Sequence, residues 1–120
     1  SYVIGVSHEV VNTGATAVNP QLYVQLVRDG STGASETPFY STFTGPAVYT
    51  NEQKYQKVEF TKIDDNKADF VKSSSDGYVA MVQHYFVSAL VPKEGVSREY
   101  YMRKVNTLAS LIAINLLLIL

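Results

Sequence analysis

Residues 78–91 form a run of 14 without a single Asp, Glu, Lys or Arg. A stretch this apolar has to be covered, and it is more than twice the ~5–6 residues of an ordinary strand. Four valines together with Tyr78, Tyr85 and Phe86 favour extended chain over helix, because β-branched and aromatic side chains fit a pleated surface. The polar pair Gln83-His84 near its middle marks a bend or bulge between two strands.

Other segments extend the pattern. Residues 2–11 place Tyr2, Ile4, Val6 and Val10 on one side, which predicts a half-buried strand. Asn12-Thr13-Gly14 supplies turn chemistry, and residues 21–27 are apolar on both faces, which predicts a strand covered on both sides. These two segments read as an antiparallel hairpin. Residues 30–38 are a loop of small side chains, and 39–43 read as a short strand broken by Gly45-Pro46. Residues 55–60 read as an edge strand guarded by lysines, 73–77 as a turn, and 99–105 as another strand. Residues 108–120 are apolar apart from Ser110 and Asn115; they are short of the ~20 residues a spanning helix needs and read as a buried strand or truncated core segment. The chain is therefore all-β, and its 120 residues fit one domain. It begins at Ser1 without an initiator methionine or basic leader, which reads as an excised piece.

Composition removes several function classes. Cysteine is absent, which excludes disulfides, thiolate metal sites and cysteine nucleophiles. A net charge of -1 gives no electrostatic reason to expect nucleic acid or an anionic membrane as partner. Residues 51–72 hold ten charges, five of each sign, which is a solvated surface and not a patch.

Candidate chemistry is sparse. Gly30-Ser31-Thr32-Gly33 lacks the Gly-Lys-Ser/Thr of a phosphate loop. The run Asp64-Asp65-Asn66-Lys67-Ala68-Asp69 suggests calcium, but a loop starting at Asp64 needs Gly where Asp69 stands and Glu where Ser75 stands. His8 and Glu9 fall on opposite faces of a strand and form no dyad. His84 reads as a hydrogen-bonded structural histidine; were the chain an enzyme, His84 with Glu9, Glu59 or Glu99 would be its only acid–base candidates. No metal, cofactor or catalytic residue is expected. The aromatics Tyr40, Phe43, Tyr49, Tyr55, Tyr78, Tyr85, Phe86, Tyr100 and Tyr101 read as core and cross-strand pairs, with a groove for sugars or apolar peptides as the alternative.

Four stretches together resemble one family. Residues 42–50 (TFTGPAVYT) with 54–58 (KYQKV), 77–89 (GYVAMVQHYFVSA), Asn12-Thr13-Gly14 and 20–30 (PQLYVQLVRDG) are similar, in order and spacing, to the large first periplasmic domain of YidC-type membrane protein insertases. The motif centres are Gly45, Pro46, Tyr78, Met81, Gln83, His84, Tyr85 and Phe86. Tyr78 and Leu90 stand where that family commonly has tryptophan, and Asn51 where it often has proline.

The resemblance implies an antiparallel β-supersandwich of the galactose-mutarotase-like kind, present here as an incomplete fragment. It implies a parent that inserts and chaperones membrane proteins at the bacterial inner membrane, with or without the Sec translocon. The expected role is then an accessory one on the periplasmic face, meeting Sec accessory subunits and nascent membrane proteins, with no catalysis. Tyr49, Lys54, Tyr55, Lys57 and Lys62 are the candidate partner-contact segment. A carbohydrate-binding or mutarotase-like sandwich is the alternative. A sandwich lacking flanking strands exposes edges and apolar faces, so the isolated fragment is expected to be marginal or to self-associate. Analytical ultracentrifugation combined with melting at several concentrations checks this; a concentration-independent, sharp transition from a monomer runs against it.

Overall fold

The computed structural model describes residues 1–29, 42–106 and 109–117, with side chains described for 1–29 and 42–104. Two four-stranded antiparallel sheets face each other across one core. The first has the order β1 (Gln21–Asp29), β8 (Ala109–Leu117), β7 (Arg98–Asn106) and β4 (Ser73–Ser74). The second has the order β3 (Lys54–Lys57), β2 (Gly45–Thr50), β5 (Tyr78–Val82) and β6 (Val87–Leu90). A one-turn helix, α1 (Phe60–Asp64), packs beside β7. The chain is an all-β sandwich fragment.

The run 78–91 divides as its sequence suggests. β5 and β6 pair from Val79–Leu90 to Val82–Val87, and residues 83–86 turn between them, closed by Gln83 N–H donating to the Phe86 carbonyl at 2.9 Å. Alternation along β5 sends Val79 and Met81 into the core, and Tyr78, Ala80 and Val82 to the opposite face. Val48 on β2 meets Val79, while Tyr100 and Met102 on β7 and Leu22, Val24 and Leu26 on β1 close the core from the other sheet.

Several expectations are corrected. Residues 2–11 form no strand, and Tyr2, Val3, Ile4 and Val6 are exposed. Alternation gives a segment a β-compatible face, but a strand also needs a neighbour for its backbone groups. The neighbour of β1 is β8, paired from Gln21–Leu117 to Asp29–Ala109, so the expected hairpin gives way to a long-range pairing. β1 is also half-buried and not covered on both faces: Leu22, Val24, Leu26 and Arg28 turn inward, and Tyr23 and Val27 are exposed. Residues 39–41 lie outside the described residues, and 42–44 have no regular structure.

Gly45-Pro46 does not break a strand but opens β2. The Pro46 carbonyl accepts from Val58 N–H at 3.0 Å, so its nitrogen faces the same side, beyond the last β3 pair at Ala47–Lys57. Proline has no N–H to return to the Val58 carbonyl, so the β2–β3 ladder ends on this single bond, at the start of the strand where the loss is tolerated. Phe60 leaves the expected edge strand to start α1, whose Ile63 is buried. The helix ends as Lys67 N–H reaches the Lys62 carbonyl (2.7 Å) and Asn66, at φ 56°, donates to the Ile63 carbonyl (3.1 Å). This is a Schellman stop, and it explains the Asp-Asp-Asn run as helix-ending chemistry.

The corner where the chain passes from β4 to β5 is held by Arg98. Arg98 is 1% exposed, and among the described residues its side chain has no acidic partner. Nη1 donates to the Lys93 and Val96 carbonyls (2.9 and 3.2 Å), Nη2 to the Gly77 carbonyl (3.2 Å), and Nε to the Tyr100 hydroxyl (3.0 Å). Tyr100 in turn donates to the Asp76 carbonyl at 3.0 Å. Gly77 itself sits at φ 85°, where a Cβ would lie 1.8 Å from the Tyr49 carbonyl oxygen. Arg98→Met leaves three carbonyls and a hydroxyl without their donor, and is expected to destabilise the fold by roughly 3–5 kcal/mol. Arg103→Met, on the exposed face of the same strand, is expected to stay within about 0.5 kcal/mol. Urea denaturation of the two variants makes the comparison.

Candidate functional site

The second sheet carries a row of tyrosines across three strands. Tyr49 on β2 is paired in register with Tyr55 on β3 and with Tyr78 on β5, so all three share the face turned away from the core. The rings of Tyr49 and Tyr78 stack at 5.4 Å with an interplanar angle of 11°. Tyr55, 44% exposed, ends the row at the sheet edge. Burial pushes its phenol above the usual 10.0, and repulsion from Tyr78 adds to the effect.

Of the five candidate partner-contact residues, the structure brings Tyr49, Tyr55 and Lys57 onto one face. Lys57 follows Tyr55 by two positions, and its Nζ lies 5.4 Å from the centre of the Phe43 ring. Lys54 opens β3 at φ 59°, on the turn from β2, and Lys62 sits apart on α1. All three lysines are exposed. Every charged side chain between 51 and 72 is exposed, while Val58, Ile63 and Phe70 from the same segment enter the core.

The motif residues divide into two groups. Gly45, Pro46 and Met81 are buried and Tyr78 is half-buried. Gln83, His84, Tyr85 and Phe86 form the turn between β5 and β6, where all but Gln83 are exposed. His84 hydrogen-bonds through Nδ1 to the Thr42 hydroxyl and meets the Tyr85 ring edge-on, as expected of a structural histidine. None of its three candidate carboxylate partners reaches it. Glu9 is exposed in the segment before β1, Glu59 precedes α1, and Glu99 accepts from the Tyr101 hydroxyl. His8 and Glu9 lie on no strand, which removes the premise that they occupy opposite faces. Ser73 and Ser74, expected in a turn, form β4 instead, and the Ser74 hydroxyl accepts from the Asp76 N–H and donates to the Asp76 carbonyl at the turn that follows. Among the described residues no group of three or more His, Asp or Glu side chains is placed to hold a metal ion, and no helix is long and apolar enough to cross a membrane.

Two features of functional interest escaped the sequence reading. Arg98 was anonymous among the charged residues, and only its i, i+2 spacing with Tyr100 in a strand could have suggested an inward position. A cleft of about 210 Å³ between β1 and β6 brings together Leu26, Arg28, Met81, Gln83, Phe86 and Ser88. These residues are far apart in the chain, so no local signal announces it.

The geometry defines a β-sandwich module with an aromatic strip and a side cleft, and among the described residues no catalytic pair is assembled around His84. The family model of the YidC periplasmic domain matches residues 1–118. The chain is 54% identical over 106 residues to the "Membrane protein insertase YidC" of Janthinobacterium sp. (strain Marseille), and 56% identical over 106 residues to that of Dechloromonas aromatica (strain RCB). It is 53% identical over 107 residues to that of Burkholderia multivorans (strain ATCC 17616 / 249). Each match covers 88% of this chain and 19% of the relative. The chain belongs to the YidC periplasmic domain family.

The departures from the family pattern have structural counterparts. Asn51 donates its backbone N–H to Asp76 Oδ1 at 2.8 Å, a bond that a proline at this position has no hydrogen to make. Tyr78 supplies the stacked ring against Tyr49, and Leu90 is half-buried against the core.

The raised Tyr55 value gives a titration test. The fold favours the neutral phenol, so this contribution is intact below about pH 10 and is lost as pH rises through the raised folded value. Ultraviolet titration is expected to show one late phenolate step that disappears in Tyr55→Phe and persists in Tyr23→Phe.

Proposed function

We propose that these 120 residues are part of a single periplasmic β-sandwich domain of an inner-membrane insertase, with an accessory and non-catalytic role in membrane protein insertion and folding. The observation that carries the reading is the family match, which runs from residue 1 to 118. The parent acts on nascent membrane proteins, with or without the Sec translocon, and this domain faces the periplasm. Its contact strip is the outer edge of the second sheet, where Tyr55 and Lys57 are exposed beside Tyr49, with Lys54 and Lys62 near in sequence. Tyrosine and lysine stems at a sheet edge offer amphipathic contact area suited to transient protein partners. Sec accessory subunits and emerging clients are the partners assigned to it. The fragment takes no cofactor and binds no nucleic acid in this reading.

The carbohydrate-binding or mutarotase-like alternative needs an acid and a base in one cleft. His84 is engaged with Thr42, and Glu9, Glu59 and Glu99 are elsewhere, so no observation favours it.

A photo-crosslinking residue at Tyr55 or Lys57 in the full-length parent, in native membrane vesicles, is expected to yield adducts with a Sec accessory subunit or a nascent membrane protein. Adducts confined to glycan, or turnover of a sugar abolished by His84→Ala, would overturn the reading.

A further inference from the structure

Asp76 is followed by Gly77, and the corner they form has room only for glycine at the second position. Gly77 sits at φ 85°, and a Cβ on it would lie 1.8 Å from the Tyr49 carbonyl oxygen. Asp76 is tied down as well, since Oδ1 accepts from the Asn51 N–H at 2.8 Å, beside the end of β2. The fold thus imposes an Asp-Gly step, and that step carries a chemistry of its own. With no side chain to shield it, a glycine amide nitrogen reaches the carboxyl carbon of the preceding aspartate more readily than any other residue's.

The reaction needs no reagent besides water. The Gly77 nitrogen attacks the carboxyl carbon of protonated Asp76, a C–N bond forms, and the hydroxyl leaves as water with the amide proton. Water then opens the cyclic imide at either carbonyl. One opening restores aspartate. The other routes the chain through the former side chain as isoaspartate, which adds a methylene to the backbone and frees the old carbonyl carbon as a carboxylate.

In the folded chain, ring closure is opposed by every bond at this corner. The Asp76 N–H donates to the Ser74 hydroxyl at 3.1 Å, and the Asp76 carbonyl accepts from the Ser74 and Tyr100 hydroxyls, each at 3.0 Å. The Gly77 carbonyl accepts from Arg98 Nη2 at 3.2 Å. Closing the imide turns the Asp76 side chain and the peptide plane after it, so it competes with the bonds to Asn51, Tyr100 and Arg98 together.

We propose that Asp76-Gly77 is a latent isoaspartate site, held unreactive by these bonds and modified only when the corner opens. Modification then makes the opening permanent. The added methylene and the new carboxylate displace the two carbonyls that Tyr100 and Arg98 bind, so a buried arginine cannot recover its partners. Every group involved lies at one corner among the described residues, whatever strands flank them.

The test is a site-resolved isoaspartate measurement, by peptide mapping with electron-transfer fragmentation, on the intact membrane protein in detergent micelles at neutral pH. The second Asp-Gly step of the sequence, Asp29-Gly30, serves as internal clock in chain unfolded by urea. The unfolded chain is expected to form isoaspartate at residues 76 and 29 at similar rates. The folded protein is expected to form it at residue 76 at least roughly tenfold more slowly. Asn51→Pro removes the backbone donor to Asp76 and is expected to raise the folded rate about fivefold. Leu26→Val, a change on β1 across the first sheet from the corner, is expected to leave that rate within about twofold. Should Asn51→Pro fail to fold, the folded-to-unfolded comparison on the unaltered protein decides alone. Equal rates at residue 76 in the folded and unfolded protein overturn the proposal. So does equal acceleration by Leu26→Val and Asn51→Pro, or native resistance to limited proteolysis in protein isolated with isoaspartate at residue 76.

Discussion

Arg98 sets the relation between the two sheets. Its guanidinium is held among carbonyls, and its four hydrogen bonds tie β7 to two other pieces of chain, the turn at 93–96 and Gly77, with the fourth going to Tyr100 on its own strand. One partner, Gly77, stands at the entry to β5 in the second sheet; Lys93 and Val96 flank the turn that leads back to β7 in the first. Tyr100 extends the network to Asp76, and Asp76 reaches Asn51 at the end of β2. Hydrophobic contact between Val48, Val79, Met81 and Tyr100 favours some stacking of the sheets but does not select one. Directional bonds at the corner select it. Gly77 is bound to the same corner by sterics, since the Tyr49 carbonyl occupies the space of any side chain there.

Elements whose information is local were legible in the sequence. The hairpin of β5 and β6, the lysine-bearing edge β3 and the strand β7 each follow from side-chain type within a short window, and the structure places them with small shifts of boundary. What failed was everything decided at a distance. Residues 2–11 alternate as a strand should, yet β8 takes the position beside β1. One amphipathic run cannot reveal which partner it will meet. The helix α1 is a single turn with one buried residue, below the length at which a 3.6-residue period can be read.

The candidate site was legible in part, for a similar reason. Pairing in register turns Tyr49, Tyr55 and Tyr78 into one row, and that register is a property of the sheet, not of any tyrosine. Lys62 was grouped with them by proximity along the chain, but it sits on the helix α1 and not on the strand edge. The resemblance to the family did better than periodicity, because motif order preserves long-range pairing that a single window loses. It pointed to Gly45 and Pro46 together, and the reason is visible in β2: a Cβ on residue 45 would lie 2.8 Å from the Val58 carbonyl, and residue 46 stands at the end of the β2–β3 ladder, where a missing donor is tolerated.

The asymmetry of the sandwich follows from where charge is placed on strands. Sheet edges expose backbone donors and acceptors, and a chain either guards them or uses them. The β3 edge is guarded by Lys54 and Lys57, the latter with its Nζ 5.4 Å from the centre of the Phe43 ring, so side chains and not bare backbone face outward there. The opposite side combines an uncharged β6, exposed aromatic and aliphatic neighbours, and an inward arginine with an unmet donor. Core chemistry alone does not explain an arginine there, since a leucine at residue 28 would continue the pattern of Leu22, Val24 and Leu26. Among the described residues the two edges of the second sheet therefore differ in what they present, amphipathic side chains at β3 and uncharged ones at β6.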